Sequence, residues 1–224
     1  MKAPNLALLI LSAAALPLVS MAQVAPPPSP VVVVDFSSPA MAPSHWIITL
    51  HRDGSGHFHS DRSDPPPSEA KELDVPVVDR DIQVSAAFAD RVFQVAQQNH
   101  WFNVDCDSRM KVAFQGWKKL SYSGPEAQGS CTFNYSKDKD IQALGDSFMG
   151  LAETMLEGAR LEMLLQHDRL GLDKEMEFIV EASRDGRLRE IGAIREILAR
   201  VEGDPEVLDR VRKRARVLLA HSGT

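Results

Sequence analysis

The chain has 224 residues, a net charge of −6, 25% charged residues and only 6% aromatic residues. That length holds one domain of ordinary size or two small ones. The acidic balance and the shortage of aromatics exclude a general attraction for nucleic acid and a base-stacking surface.

Lys2 gives a short positive start, and Leu6 to Val19 are uncharged and mostly apolar. Ser20 and Ala22 then place small residues where signal peptidase reads them. Residues 1–22 therefore read as a cleavable secretory signal peptide, with the exported chain beginning near Gln23. The apolar run is shorter than the roughly twenty residues of a membrane-spanning helix. The expected location is the periplasm or the medium. Lys2 is the leader's one charged side chain, so export leaves the chain one unit more negative.

Residues 23–30, QVAPPPSP, cannot pack a core, because proline fixes the backbone and removes donors. Val31 to Phe36 has strand composition, but SSPAMAPS follows it. Residues 23–44 are expected as a mostly irregular, Pro-rich flexible arm. Trp46 to His51 is a strand candidate, Asp53-Gly54 has hairpin-turn chemistry, and His57 to Ser60 is the return strand. Val75 to Val78 is a further short extended segment. Ser85 is an N-cap candidate, and Phe88, Val92, Val95 and Ala96 recur at helical spacing over about 86–99. The apolar Trp101-Phe102 should dock on a sheet.

Trp117 to Tyr122 and Gly129 to Tyr135 read as strands, the second burying Cys131, Phe133 and Tyr135 by alternation. Cys106 and Cys131 are the chain's two cysteines, and in an oxidising compartment they are expected to pair. Ser136 is expected to cap a long helix running to about Gln166, with Asp138 and Asp140 favouring its start. Helices at 174–184 and 187–201 follow. Gly203-Asp204-Pro205 then opens a last helix containing Val207, Leu208, Val211, Ala215 and Leu218. The order predicts an α+β fold: a small antiparallel sheet packed with helices, over residues 45–136, then an all-helical C-terminal region over 137–224.

Chemistry-bearing residues are sparse. His45, His51, His57 and His59 concentrate on the first hairpin, with Asp53 and Asp61 nearby. Residues two apart share a strand face, so His51, His57 and His59 are the candidate ligands for zinc or copper. The competing reading is a polar, solvent-exposed hairpin face. Asp79/Asp81, Asp105/Asp107 and Asp138/Asp140 lack the spacing of a calcium loop. His167-Asp168-Arg169 has no nucleophile pattern beside it and reads as a polar helix end. Arg210, Arg212, Lys213, Arg214 and Arg216 flank the last helix's apolar stripe, which could meet an anionic membrane surface or an acidic partner. No catalytic residue or organic cofactor is assigned. The resulting expectation is an exported, non-enzymatic envelope protein that binds a protein or peptide; a His-rich metal-binding protein and a hydrolase with an unrecognised site are the alternatives.

Overall fold

The structure, a computed structural model, describes residues 29–61 and 77–221. The leader and the proline run of residues 23–28 lie outside the described residues. Among the described residues, six strands form one antiparallel sheet: β1 (Val31–Ser37), β2 (His45–His51), β3 (Ser55–Ser60), β4 (Asp79–Gln83), β5 (Trp117–Ser123) and β6 (Gln128–Phe133). Their order is β4-β3-β2-β1-β5-β6. The first four strands are a meander. Helix α1 (Ala86–Gln98) then carries the chain from the β4 edge to the far side of β1.

The hairpin at Asp53-Gly54 forms as its turn chemistry predicts, with Gly54 at φ +82°. β1 is where the structure departs from the expectation. Val31 to Ser37, read as part of an irregular arm, occupies the middle of the sheet and pairs along its whole length with both β2 and β5. Val32, Val34 and Phe36 are fully buried on one face. A run of β-branched residues suits a strand with neighbours on both sides, and this outweighs the flanking prolines.

Helix α1 starts at the expected Ser85, whose hydroxyl accepts from the Phe88 amide. The chain then makes a left-handed turn through His100, Trp101 and Phe102, with φ of 50°, 58° and 63°. Such backbone is strained for residues with a Cβ. Burial of Phe102 and stacking of Trp101 on Tyr122, with ring centroids 4.4 Å apart, offset the cost. The apolar pair thus docks on the sheet as its composition indicates.

Helix α2 (Lys139–His167) lies against the buried sheet face and carries the C-terminal helices on its other side. Its cap is Asp138, not Ser136: the Asp138 carboxylate accepts from the Asp140 and Ile141 amides. Helices α3 (Leu172–Arg184), α4 (Arg195–Gly203) and α5 (Asp209–His221) complete the fold. The expected start of α4 at 187 gives way to a bend. Glu190 is left-handed (φ 55°) and accepts hydrogen bonds from the Ser85 amide (2.6 Å) and hydroxyl (3.0 Å). Helix α5 begins later than Pro205, because the Asp204 carboxylate accepts from the Glu206 amide in a turn. The strands and all five helices share one continuous apolar core. Arg80 on β4 adds a two-pronged bond to Glu162 of α2, at 3.2 and 2.8 Å.

If β1 is the core strand, Phe36→Ala should cost about 3–5 kcal/mol, as for other buried aromatics. Its ring is fully buried and stacks on Trp46 at 5.0 Å. Urea denaturation checks this, and a change below about 0.5 kcal/mol would return the segment to the surface.

Candidate functional site

The helices cover one face of the sheet. On the other, no helix packs among the described residues, and the strand period of two decides what is displayed. Across the strands, Asp79, His59, Ile47, Asp35 and Lys119 form one row, and Asp81, His57, Thr49, Val33 and Ser121 the next.

Three histidines on this face, His45, His57 and His59, sit in a continuous chain with aspartates. His57 places Nδ1 2.9 Å from Asp81 and Nε2 3.0 Å from Asp79. His59 places Nδ1 2.9 Å from Asp79 and Nε2 3.4 Å from Asp61. His45 places Nδ1 2.8 Å from Asp61 and Nε2 3.2 Å from Asp35. Every nitrogen of the three rings faces a carboxylate, and Asp79 and Asp61 are each shared by two rings. A ring donates at both nitrogens only as the imidazolium. The hydrogen bond to Asp81 holds His57 above the usual histidine pKa; partial burial opposes this and Asp79 reinforces it. The bond from His59 lowers Asp79, and that from His45 lowers Asp61.

This arrangement bears on the proposed ligands His51, His57 and His59. His57 and His59 are neighbours on one strand face, as their spacing requires, but their nitrogens turn to aspartates. His57 registers opposite Thr49, while His51 sits at the end of β2 opposite Val31. His51 and His57 border a shallow cleft with Asp81 between β2, β3 and β4. Among the described residues no three His, Cys, Asp or Glu side chains converge as a metal site would need. Sequence reasoning missed the part played by Asp35, Asp79 and Asp81. The signal was there: His57-Phe-His59 and Asp79-Arg-Asp81 share a period of two and become partners once β3 meets β4.

The other end of the open face is aromatic. Residues 103–116 run as an irregular loop beyond β6, held by the Cys106–Cys131 disulfide, whose Cα atoms are 5.8 Å apart. Asn134 fixes the same loop: its side-chain oxygen accepts from the Gln115 amide at 2.7 Å, and its amide nitrogen donates to the Ala113 carbonyl at 3.2 Å. The loop exposes Met110, Val112 and Phe114, and Trp117 and Tyr135 are exposed beside it. Phe114 meets Trp117 edge to face at 5.7 Å. Tyr135, expected inside by alternation, is outside because β6 ends at Phe133. Trp117 registers with Ser37, and Ser37 with His45, so the aromatic cluster and the histidine chain lie on one surface.

No protein-family model matches the chain, and no curated protein matches it in sequence. Among the described residues no helix is long and apolar enough to cross a membrane. The basic residues of α5 have carboxylate partners: Arg210 and Arg214 meet Asp173, Arg212 and Lys213 meet Asp209, and Arg216 meets Glu202. His167, Asp168 and Arg169 close α2, and Arg169 pairs with Asp204 and Glu206.

Two measurements follow from this geometry. The bridge closes a loop with a sequence separation of 25. Replacing both cysteines by Ala should therefore lower stability by roughly 3 kcal/mol, read as a fall in the urea midpoint; an unchanged midpoint would mean the loop is held without it. The histidine chain carries a defined sign. A raised His57 pKa contributes stability below the unfolded value of 6.5 and loses it as pH rises through the folded value. The lowered Asp61 and Asp79 contribute above 3.8 and lose it as pH falls through their folded values. The chain is thus most stabilising between those limits. His57→Gln should lower the urea midpoint more at about pH 5.5 than at about pH 8.5, and equal effects would refute the linkage.

Proposed function

We propose that the chain is an exported, non-enzymatic module that recognises a protein or peptide on the open face of its sheet. The exposed aromatic cluster around Phe114 and Trp117 carries this reading. Exposed apolar groups gathered on one surface, with an aromatic anchor, are the usual mark of a protein-binding site. A loop held at Cys131 and Asn134 presents them with little ordering cost, which favours affinity.

The remainder of the face gives the partner its chemistry. Four aspartates, Asp35, Asp61, Asp79 and Asp81, share the β1 to β4 half of this face with His45, His51, His57 and His59, so this half is rich in carboxylates. An apolar side chain would seat on the aromatic end, and basic groups would meet the carboxylates. Residence in the periplasm or the medium rests on the leader pattern of residues 1–22 and on the Cys106–Cys131 bridge, which suits an oxidising compartment.

The test is capture of partners from the cell envelope by the tagged exported chain. Phe114→Ala with Trp117→Ala should reduce retention of the captured partner by at least about tenfold, since buried aromatic anchors typically contribute 2 kcal/mol or more. Leu170→Ala, at a residue 80% exposed between α2 and α3, should leave retention unchanged. Equal retention by the double variant and the parent chain would reject the aromatic face as the binding surface.

A further inference from the structure

A cavity of about 200 Å3 lies between α2 and the β1–β2 connection, on the side of the sheet away from the open face. Its apolar walls are Trp46, Met149, Leu156 and Met163. Met149, Ala152, Leu156, Arg160 and Met163 recur along one stripe of α2, as a helix lining a cavity requires. The same stripe brings Glu153 and Glu157 to the cavity.

Glu157 is the unusual group. It is 8% exposed, and its Oε2 is buried with no hydrogen-bond donor. Glu175 on α3 is its neighbour, and the Oε1 of Glu175 is likewise buried without a donor. One cation serves both carboxyl groups at long range: Arg160 Nε is 4.0 Å from Glu157 and Nη1 is 3.8 Å from Glu175. Neither separation is a hydrogen bond. Two buried carboxyl groups with one distant guanidinium are short of one positive charge or one proton, because a buried unpaired carboxylate is costly.

We propose that this cavity binds a small organic cation with an apolar body, a primary alkylammonium, whose head takes the place of the proton that Glu157 otherwise holds against Glu175. The walls favour this over an inorganic ion. A divalent cation needs six or more oxygen ligands, and the lining is largely indole, thioether and aliphatic. An alkyl chain buries against those groups, while the ammonium supplies three donors. The volume is below the roughly 300–1,000 Å3 of sites for drug-sized ligands, so the ligand is small.

Without ligand, the site meets its deficit with a proton. Burial pushes Glu157 up to about 9, and the hydrogen bond with Glu175 adds to this. The groups around it are Glu153 and Arg160 on α2 and Glu175 on α3; the residues lining the cavity from the strand side are not titratable. Glu153 is raised by its own burial, against the pull of Arg187. An arriving ammonium displaces the Glu157 proton, which leaves to solvent, so one cation replaces another.

Hexylamine is the probe and hexanol its neutral control, titrated calorimetrically into the purified chain in buffers of different ionisation heat. Hexylamine should bind, release about one proton, and gain roughly tenfold in affinity per pH unit between about pH 6 and 8. Hexanol should bind at least tenfold more weakly, and Glu157→Gln should abolish the preference for the amine. Should that variant fail to fold, proton release by the parent chain decides. The proposal is overturned if hexylamine does not bind, binds without proton release, or binds no better than hexanol. None of these readouts involves the aromatic face, so the two proposals stand or fall separately.

Discussion

The fold depends on β1. It is the one strand with β2 on one side and β5 on the other, so it joins the β2–β3–β4 meander to the β5–β6 hairpin. Removing it would leave a three-stranded piece and a two-stranded hairpin, and an isolated hairpin is marginal in water. The same strand sets both surfaces. Val32, Val34 and Phe36 point into the core, while Val31, Val33 and Asp35 point to the open face. A slip of one residue would exchange the two sets, which is why its register is strongly specified.

The second constraint is the covering of the β6 edge. An unpaired edge strand invites association with other chains. Here the turn after α1 comes close against it: a Cβ on Gly129 would lie 2.4 Å from the Trp101 carbonyl oxygen. The loop that continues from this turn is pinned by the Cys106–Cys131 bridge. Protection of the edge and display of Phe114 are therefore two results of one device.

Legibility in the sequence followed the range of the interactions. The first hairpin, the Ser85 cap, the buried Cys131 and Phe133, and the length of α2 were readable because each rests on residues close together in the chain. β1 was not, because four consecutive valines lack the alternation that marks a half-buried strand, and both flanks carry prolines. The bend before α4 was hidden for a different reason. Local composition favours helix there, but Glu190 is drawn into a left-handed conformation by Ser85, 105 residues earlier. The histidines stood out as a cluster, yet their partners Asp79 and Asp81 lie beyond residues 62–76, and only the β3–β4 register joins them. Glu157 gave no local signal at all. Its spacing on α2 does not set it apart from Glu153, and its meaning comes from Glu175 on another helix.

The two candidate surfaces meet at the start of β2, and the strand's geometry keeps them apart. His45 faces outward into the histidine–aspartate chain, and the next residue, Trp46, faces inward to the cavity. Trp46 is held by stacking on Phe36 and by Phe58 at 6.4 Å, so its ring has little freedom to answer a change at His45. Coupling between the surfaces would have to pass through the connection that follows β1, whose Met41, Ala42 and Pro43 border the cavity. That connection is closed on itself by two backbone bonds, from the Ser38 amide to the Ser44 carbonyl at 2.7 Å and from the Met41 amide to the Ser38 carbonyl at 3.2 Å. A ligand in the cavity can therefore bear on the open face only by moving this short segment. The packing of β2 against β1 and β3 otherwise insulates one side of the sheet from the other.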